Sequence, residues 1–163
     1  MFTQTLYTGE RDKDYPVIIG QLSALIAGEP NFIANLSNAS ALLWQGLKDI
    51  NWAGFYLMDD ERGELVLGPF QGLPACVRIP LGRGVCGAAA KEQRTVIVPD
   101  VHAFPGHIAC DAASRSEIVV PLMKEGKCIG VLDIDSPITD RFNEQDQDAL
   151  EQLVSAILAE SKL

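Results

Sequence analysis

Residues 117–135 read EIVVPLMKEGKCIGVLDID, and the fold turns on them. Glu117 to Met123 and Cys128 to Ile134 are rich in apolar and β-branched residues, with Lys124-Glu125-Gly126 between them as turn chemistry. The stretch predicts an antiparallel hairpin. A three-residue loop with glycine in the left-handed position pairs Met123 with Lys127 and Glu117 with Asp133. Side chains alternate along a strand, so Asp133 and Asp135 share one face while Leu132 and Ile134 point to the other. In this register Glu117 joins the two aspartates. Like charges facing each other are destabilising. Such a cluster persists if a cation sits among the carboxylates or if one carboxyl keeps its proton. A two-residue turn would shift the register by one and send Glu117 to the opposite face.

Outward from the hairpin, Asn51 to Met58 alternates as a strand, Asp59 to Gly63 is a turn, and Glu64 to Leu67 returns as a second strand. Cys76 to Ile79 and Thr95 to Val98 read as short strands, with a short helix over Val85 to Gln93 between them. Asp100 to Arg115 has no clear periodicity. Helices lie at both ends. Tyr15 to Ala27 is stopped by Gly28-Glu29-Pro30, and the next helix runs from about Asn31 to Lys48. Phe32, Ile33, Leu36, Ala39, Leu43 and Leu47 mark its core face. The last helix begins near Asn143 and carries the stripe Leu150, Leu153, Val154, Ile157 and Leu158. The expected class is α+β: a central antiparallel sheet with the N- and C-terminal helices packed on one face. The 163 residues fit a single domain, 1–163.

Composition narrows the function. With 47% hydrophobic and 21% charged residues the chain is of ordinary globular type. Its net charge of −9 repels nucleic acid and anionic membrane. The first ten residues have neither a basic nor an apolar leader region. No apolar run approaches the roughly 18 residues of a membrane span. The expected location is the cytoplasm. Four cysteines without a Cys-x-x-Cys pair argue against a structural zinc site and, in a reducing compartment, against a disulfide framework. No metal or cofactor is expected. Gly82-Arg83-Gly84-Val85-Cys86-Gly87 matches G-x-G-x-x-G, but a dinucleotide site also needs a parallel sheet and a long crossover helix. Hairpins surround it here, and a tight turn into a short helix is the better account.

The cysteines differ by context. Cys128, in an apolar strand, reads as a buried small hydrophobe. Cys110 lies in the long irregular segment with both histidines, His102 and His107, and beside Asp111, which favours a reactive thiol. Cys86 sits near a helix N-terminus. There the dipole would favour a thiolate, while a small residue in a tight turn is the alternative. Cys76 is structural alone and a resolving thiol in company, since thiol redox chemistry needs two sulfurs. On Asn51 to Leu57, Trp52, Gly54 and Tyr56 share a face. They serve either as core packing or as the two walls and floor of a pocket. Beside carboxylates, aromatic walls would suit an amine-bearing ligand with a soft side chain.

These residues resemble a known family. Asn51-Trp52-Ala53-Gly54-Phe55-Tyr56, Leu67 to Gly72, Ala75-Cys76-Val77-Arg78-Ile79-Pro80 and Gly82 to Gly87 are similar to segments of the free methionine-R-sulfoxide reductases. So are His107 to Ser114 and Gly130 to Ser136. The likeness runs from the second helix to the last. It implies a GAF fold, a homodimer, and a cytoplasmic enzyme of oxidative-stress repair without metal or cofactor. It further implies Cys110 as nucleophile, Cys76 as its disulfide partner and Cys86 as a second or auxiliary thiol. Trp52 and Tyr56 would hold the substrate side chain, and Glu117, Asp133 and Asp135 would bind its ammonium. Glu117 or Asp135 would act as proton donor. Backbone N–H groups of Ile108 to Ala112 would meet the substrate carboxylate, and thioredoxin would recycle the disulfide. A ligand-binding GAF sensor and a thiol switch without turnover are the alternatives.

Overall fold

Asn143 can cap a helix, and it does: its side chain accepts hydrogen bonds from Gln145 N and Asp146 N, and Asp146 bonds back to Asn143 N. Helix α4 (Glu144–Glu160) starts there. The same Asp146, fully buried, accepts from Tyr15 Oη at 2.6 Å and from Arg11 Nε at 2.9 Å. This pin holds the first helix, α1 (Arg11–Ile26), against α4. Helix α1 therefore begins earlier than the sequence suggests and carries Pro16 inside it. Asn31 caps α2 (Phe32–Gly46) through Ala34 N. Its core face is Leu36, Ala39 and Leu43, continued by Leu47; Ile33, expected on that face, is exposed.

The computed structural model describes residues 2–108 and 110–163. Six strands, β1 (Trp52–Asp59), β2 (Glu64–Gly72), β3 (Arg78–Pro80), β4 (Val96–Val98), β5 (Ser116–Lys124) and β6 (Lys127–Ser136), form one antiparallel sheet. Their order is β3-β2-β1-β6-β5-β4. Strand β2 runs past Leu67 to Gly72, and β3 begins after Cys76, which lies in the preceding loop. The three long helices cover one face, where Ala53, Phe55, Ile118, Leu132 and Ile134 meet Ile18, Leu22, Leu36 and Leu153. On the other face α3 (Gly84–Glu92) packs against Val119, Val131 and Tyr56. The α+β expectation, with terminal helices on one face, holds.

The hairpin register differs from the expected one. The turn has two residues, Glu125 at φ 51° and Gly126 at φ 78°, between the pair Lys124↔Lys127. Left alone, this turn would put Glu117 on the wrong face. A β-bulge then adds Ile129 between Cys128, opposite Met123, and Gly130, opposite Leu122. The second one-residue shift restores the face. Glu117 pairs with Asp135 rather than Asp133, which faces Val119, and all three carboxylates stay together.

Candidate active site

The carboxylates occupy the sheet face that α3 covers. In the β1–β6 pairing Trp52 lies opposite Asp135, Gly54 opposite Asp133 and Tyr56 opposite Val131, so the aromatic side chains share the carboxylates' face. Trp52 stacks on Tyr56 at 5.8 Å between ring centroids and on Phe70 at 5.2 Å. Their polar tips are spoken for: Trp52 Nε1 donates to Leu73 O and Tyr56 Oη to Cys76 O. Gly54 is not an open floor. A Cβ there would fall 2.2 Å from Phe70 Cβ, because an irregularity in the β1–β2 pairing brings β2 down on it.

A cleft of about 540 Å³, counted out to its solvent opening, is lined by Trp52, Tyr56, Cys86, Glu117, Asp133 and Asp135. Cys110 and Asp111 stand at its loop side. Cys76 joins Cys110 in a disulfide with a Cα–Cα distance of 5.7 Å across a sequence separation of 34. Cys110 thus lines the same cleft as the carboxylates, and Cys76 is bonded to it. Cys86 and Cys128 are free and buried.

Burial sets the electrostatics. Desolvation, with the Asp135 charge added, pushes the Glu117 carboxyl up to about 8. Burial and Glu117 raise Asp133 well above the carboxylate range, and burial with Asp133 and Asp111 does the same for Asp135. Glu117 therefore keeps its proton at neutral pH, the second of the two ways such a cluster can persist, and the two aspartates are shifted in the same direction. Burial and the facing Asp133 and Glu117 also hold the Cys86 thiol protonated. Of the two readings of Cys86, a helix-terminal thiolate or a small residue in a tight turn, burial favours the second: a helix N-terminus is worth about 0.3–1 kcal/mol at exposed sites, too little against burial beside carboxylates.

Sequence patterning gave a histidine no settled place. His107 lines the cleft with Nε2 3.7 Å from Glu117 Oε2, and burial lowers its basicity. His102 instead contacts Arg115 on the exposed side. Asn51 was missed as a positioning residue. Its amide donates to Asp111 Oδ2 at 2.9 Å and Ser114 Oγ at 3.1 Å, tying the irregular loop to β1. Of the backbone donors expected over Ile108 to Ala112, Ile108 borders the cleft, and Ala109 lies outside the described residues. No described helix is long and apolar enough to cross a membrane.

Comparison with known proteins places the arrangement. Residues 24–158 match the GAF domain family. The free methionine-R-sulfoxide reductase of Escherichia coli is 58% identical over 135 residues, 83% of this chain and 81% of that protein. The Saccharomyces cerevisiae enzyme of the same name is 51% identical over 80% of this chain and 76% of its own length. The X-ray structure of the Neisseria meningitidis free methionine-R-sulfoxide reductase in complex with its substrate superposes with a TM-score of 0.93 at 44% identity, covering 98% of this chain and 95% of that one. A GAF fold, a cleft shared by Cys110 and a carboxyl cluster, and relatives this similar lead to one conclusion: the chain belongs to the free methionine-R-sulfoxide reductase family of GAF domains.

Proposed function

We propose that this protein reduces free methionine-R-sulfoxide to methionine by thiol chemistry. The observation that carries the proposal is a Cys76–Cys110 disulfide whose Cys110 lines the same cleft as Glu117, Asp133 and Asp135, three carboxyls whose proton affinity is raised, Glu117 up to about 8. In the reduced enzyme the Cys110 thiolate attacks the sulfoxide sulfur. Glu117, protonated up to about 8, gives its proton to the departing oxygen; Asp135, paired with it across the strands, is the alternative donor. The hydroxyl then passes to Cys110 as the new sulfur–sulfur bond breaks, so methionine leaves and Cys110 carries the oxygen as a sulfenic acid. The Cys76 thiol displaces it as water, forming the disulfide. A thioredoxin-class dithiol reduces that disulfide by exchange.

Trp52 and Tyr56 receive the methyl thioether end, and Asp133 and Asp135 the ammonium. A bound ammonium favours their ionised forms and compensates their burial. A peptide-linked sulfoxide has no free ammonium and brings chain that the cleft excludes. Cys86 stands by as an auxiliary thiol. The proposal extends to a single domain over 1–163, a homodimer, and a cytoplasmic role in repairing oxidised methionine.

The test is thioredoxin-coupled NADPH oxidation with the free R, free S and peptide-bound sulfoxides, for wild type and Cys110→Ser. Turnover of the free R form alone, abolished in the variant, is the expected result. No turnover of any form with active reductant would leave a ligand-sensing module. A disulfide formed by peroxide with no response to sulfoxide would leave a thiol switch.

A further inference from the structure

Donor atoms of three chemistries converge at the carboxylate end of the cleft. Cys86 Sγ lies 3.9 Å from Glu117 Oε1, and His107 Nε2 lies 3.7 Å from Glu117 Oε2. The Cys86 sulfur and one oxygen each from Glu117 and Asp133 all fall within 4.8 Å of one another. These residues are only 4%, 5% and 6% exposed. Asp133 Oδ1 is buried and finds no hydrogen-bond partner among the described residues. A buried polar atom without a partner costs about 1–3 kcal/mol, so it points to a ligand able to approach it.

Around a tetrahedral ion with metal–sulfur and metal–nitrogen or oxygen bonds of about 2.3 and 2.0 Å, neighbouring donors stand roughly 3.3–3.5 Å apart. The Cys86–Glu117 distance needs to shrink by only a few tenths of an ångström, and the Cys86, Glu117 and Asp133 donors together by at most little more than 1 Å. Thiolate and carboxylate together suit a borderline-soft divalent ion and not magnesium or calcium, which take oxygen alone. We propose that Cys86, Glu117 and Asp133 form a binding site for a divalent ion of the zinc class, with His107 at its edge, an inhibitory occupant rather than a resident cofactor. The ion would take the carboxylates that the proposed substrate's ammonium and oxygen need, and metal and sulfoxide would exclude each other. The metal site stands on the geometry; only this competition rests on the proposed reaction.

The disulfide form gives a clean test, because Cys76 and Cys110 are bonded to each other and only Cys86 and Cys128 can offer a thiolate. Cobalt(II) added to this form should bind in one equivalent and produce a thiolate-to-cobalt charge-transfer band that zinc removes. Cys86→Ser should abolish the band, and Cys128→Ser should keep it. Asp133→Asn should weaken binding by more than the roughly 10–100-fold that losing an outer-sphere partner costs, and His107→Gln by no more than that. No band in wild type, or a band that survives Cys86→Ser, would overturn the site. Should Cys86→Ser fail to fold, unchanged affinity in Asp133→Asn would overturn it equally. Free methionine sulfoxide should displace cobalt in the reduced enzyme. Turnover without a cobalt band would sink the metal site alone, and a band without turnover would sink the reductase reading alone.

Discussion

One proton on Glu117 bears on stability and, in the proposed reaction, on chemistry. The folded chain holds it up to about 8, while the unfolded chain releases it near the ordinary 4.5. Folding therefore takes up a proton between these values. The stability this group contributes is full below about 4.5 and is lost as pH rises toward about 8. Each retained proton gives a slope of about 1.4 kcal/mol per pH unit. Urea unfolding of Glu117→Gln from pH 5 to 8 should show a shallower decline than wild type. A slope unchanged by the substitution would remove Glu117 from the account. Turnover should fall above pH 8, and Glu117→Gln should lose about 10²–10⁴-fold in kcat, the range for a general acid. At this scale the sequence showed a good deal. Alternation put the carboxylates and aromatics on one face, and family likeness paired Cys76 with Cys110. It did not show that Cys86 would be protonated, because a motif carries helix position but not burial. Asn51 escaped because its partners, Asp111 and Ser114, are distant in the chain and meet it only in the folded protein.

Strand β1 shows how an element's needs fix a residue. Gly54 admits the Phe70 backbone and side chain where β2 crosses it, and any Cβ there collides with them. Gly54→Ala should destabilise the fold by about 1–3 kcal/mol, the usual range for overpacking. It should also disturb the Trp52–Phe70 stack, seen as a change in tryptophan fluorescence. Wild-type stability and emission would mean that β2 yields without cost. The β5–β6 hairpin marks the limit of sequence reading for elements. Strands and turn were legible from β-branched runs and Gly126. The register was not, because the Ile129 bulge leaves no periodic trace and only the count across both strands reveals it. The expected cluster formed although the expected pairing did not, since two one-residue shifts restore the face. The first and second helices were legible in kind. Their boundaries moved because tertiary partners such as Asp146 set them.

Across the whole molecule, the Cys76–Cys110 bond joins the loop before β3 to the irregular segment before β5. Closing a loop of that separation, 34 residues, is worth about 3–4 kcal/mol in chain entropy. Reduction should lower the unfolding midpoint of wild type and leave a Cys76→Ser/Cys110→Ser double variant unaffected. Hydrogen exchange should quicken in residues 73–77 and 100–115 before it does in α1 or α4. Uniform quickening would show that the bond secures the whole fold instead of two loops. The sheet itself divides the protein into two compartments. Ala53, Phe55, Leu132 and Ile134 belong to the helix side, while Trp52, Tyr56, Asp133 and Asp135 belong to the cleft side, interleaved along the same two strands. Alternate letters of β1 and β6 thus face the helix-packed core and the cleft, although Gly54 and Val131 on the cleft side also serve packing. A library confined to the cleft-side letters could search for new specificities while leaving the helix-packed core as its fixed chassis.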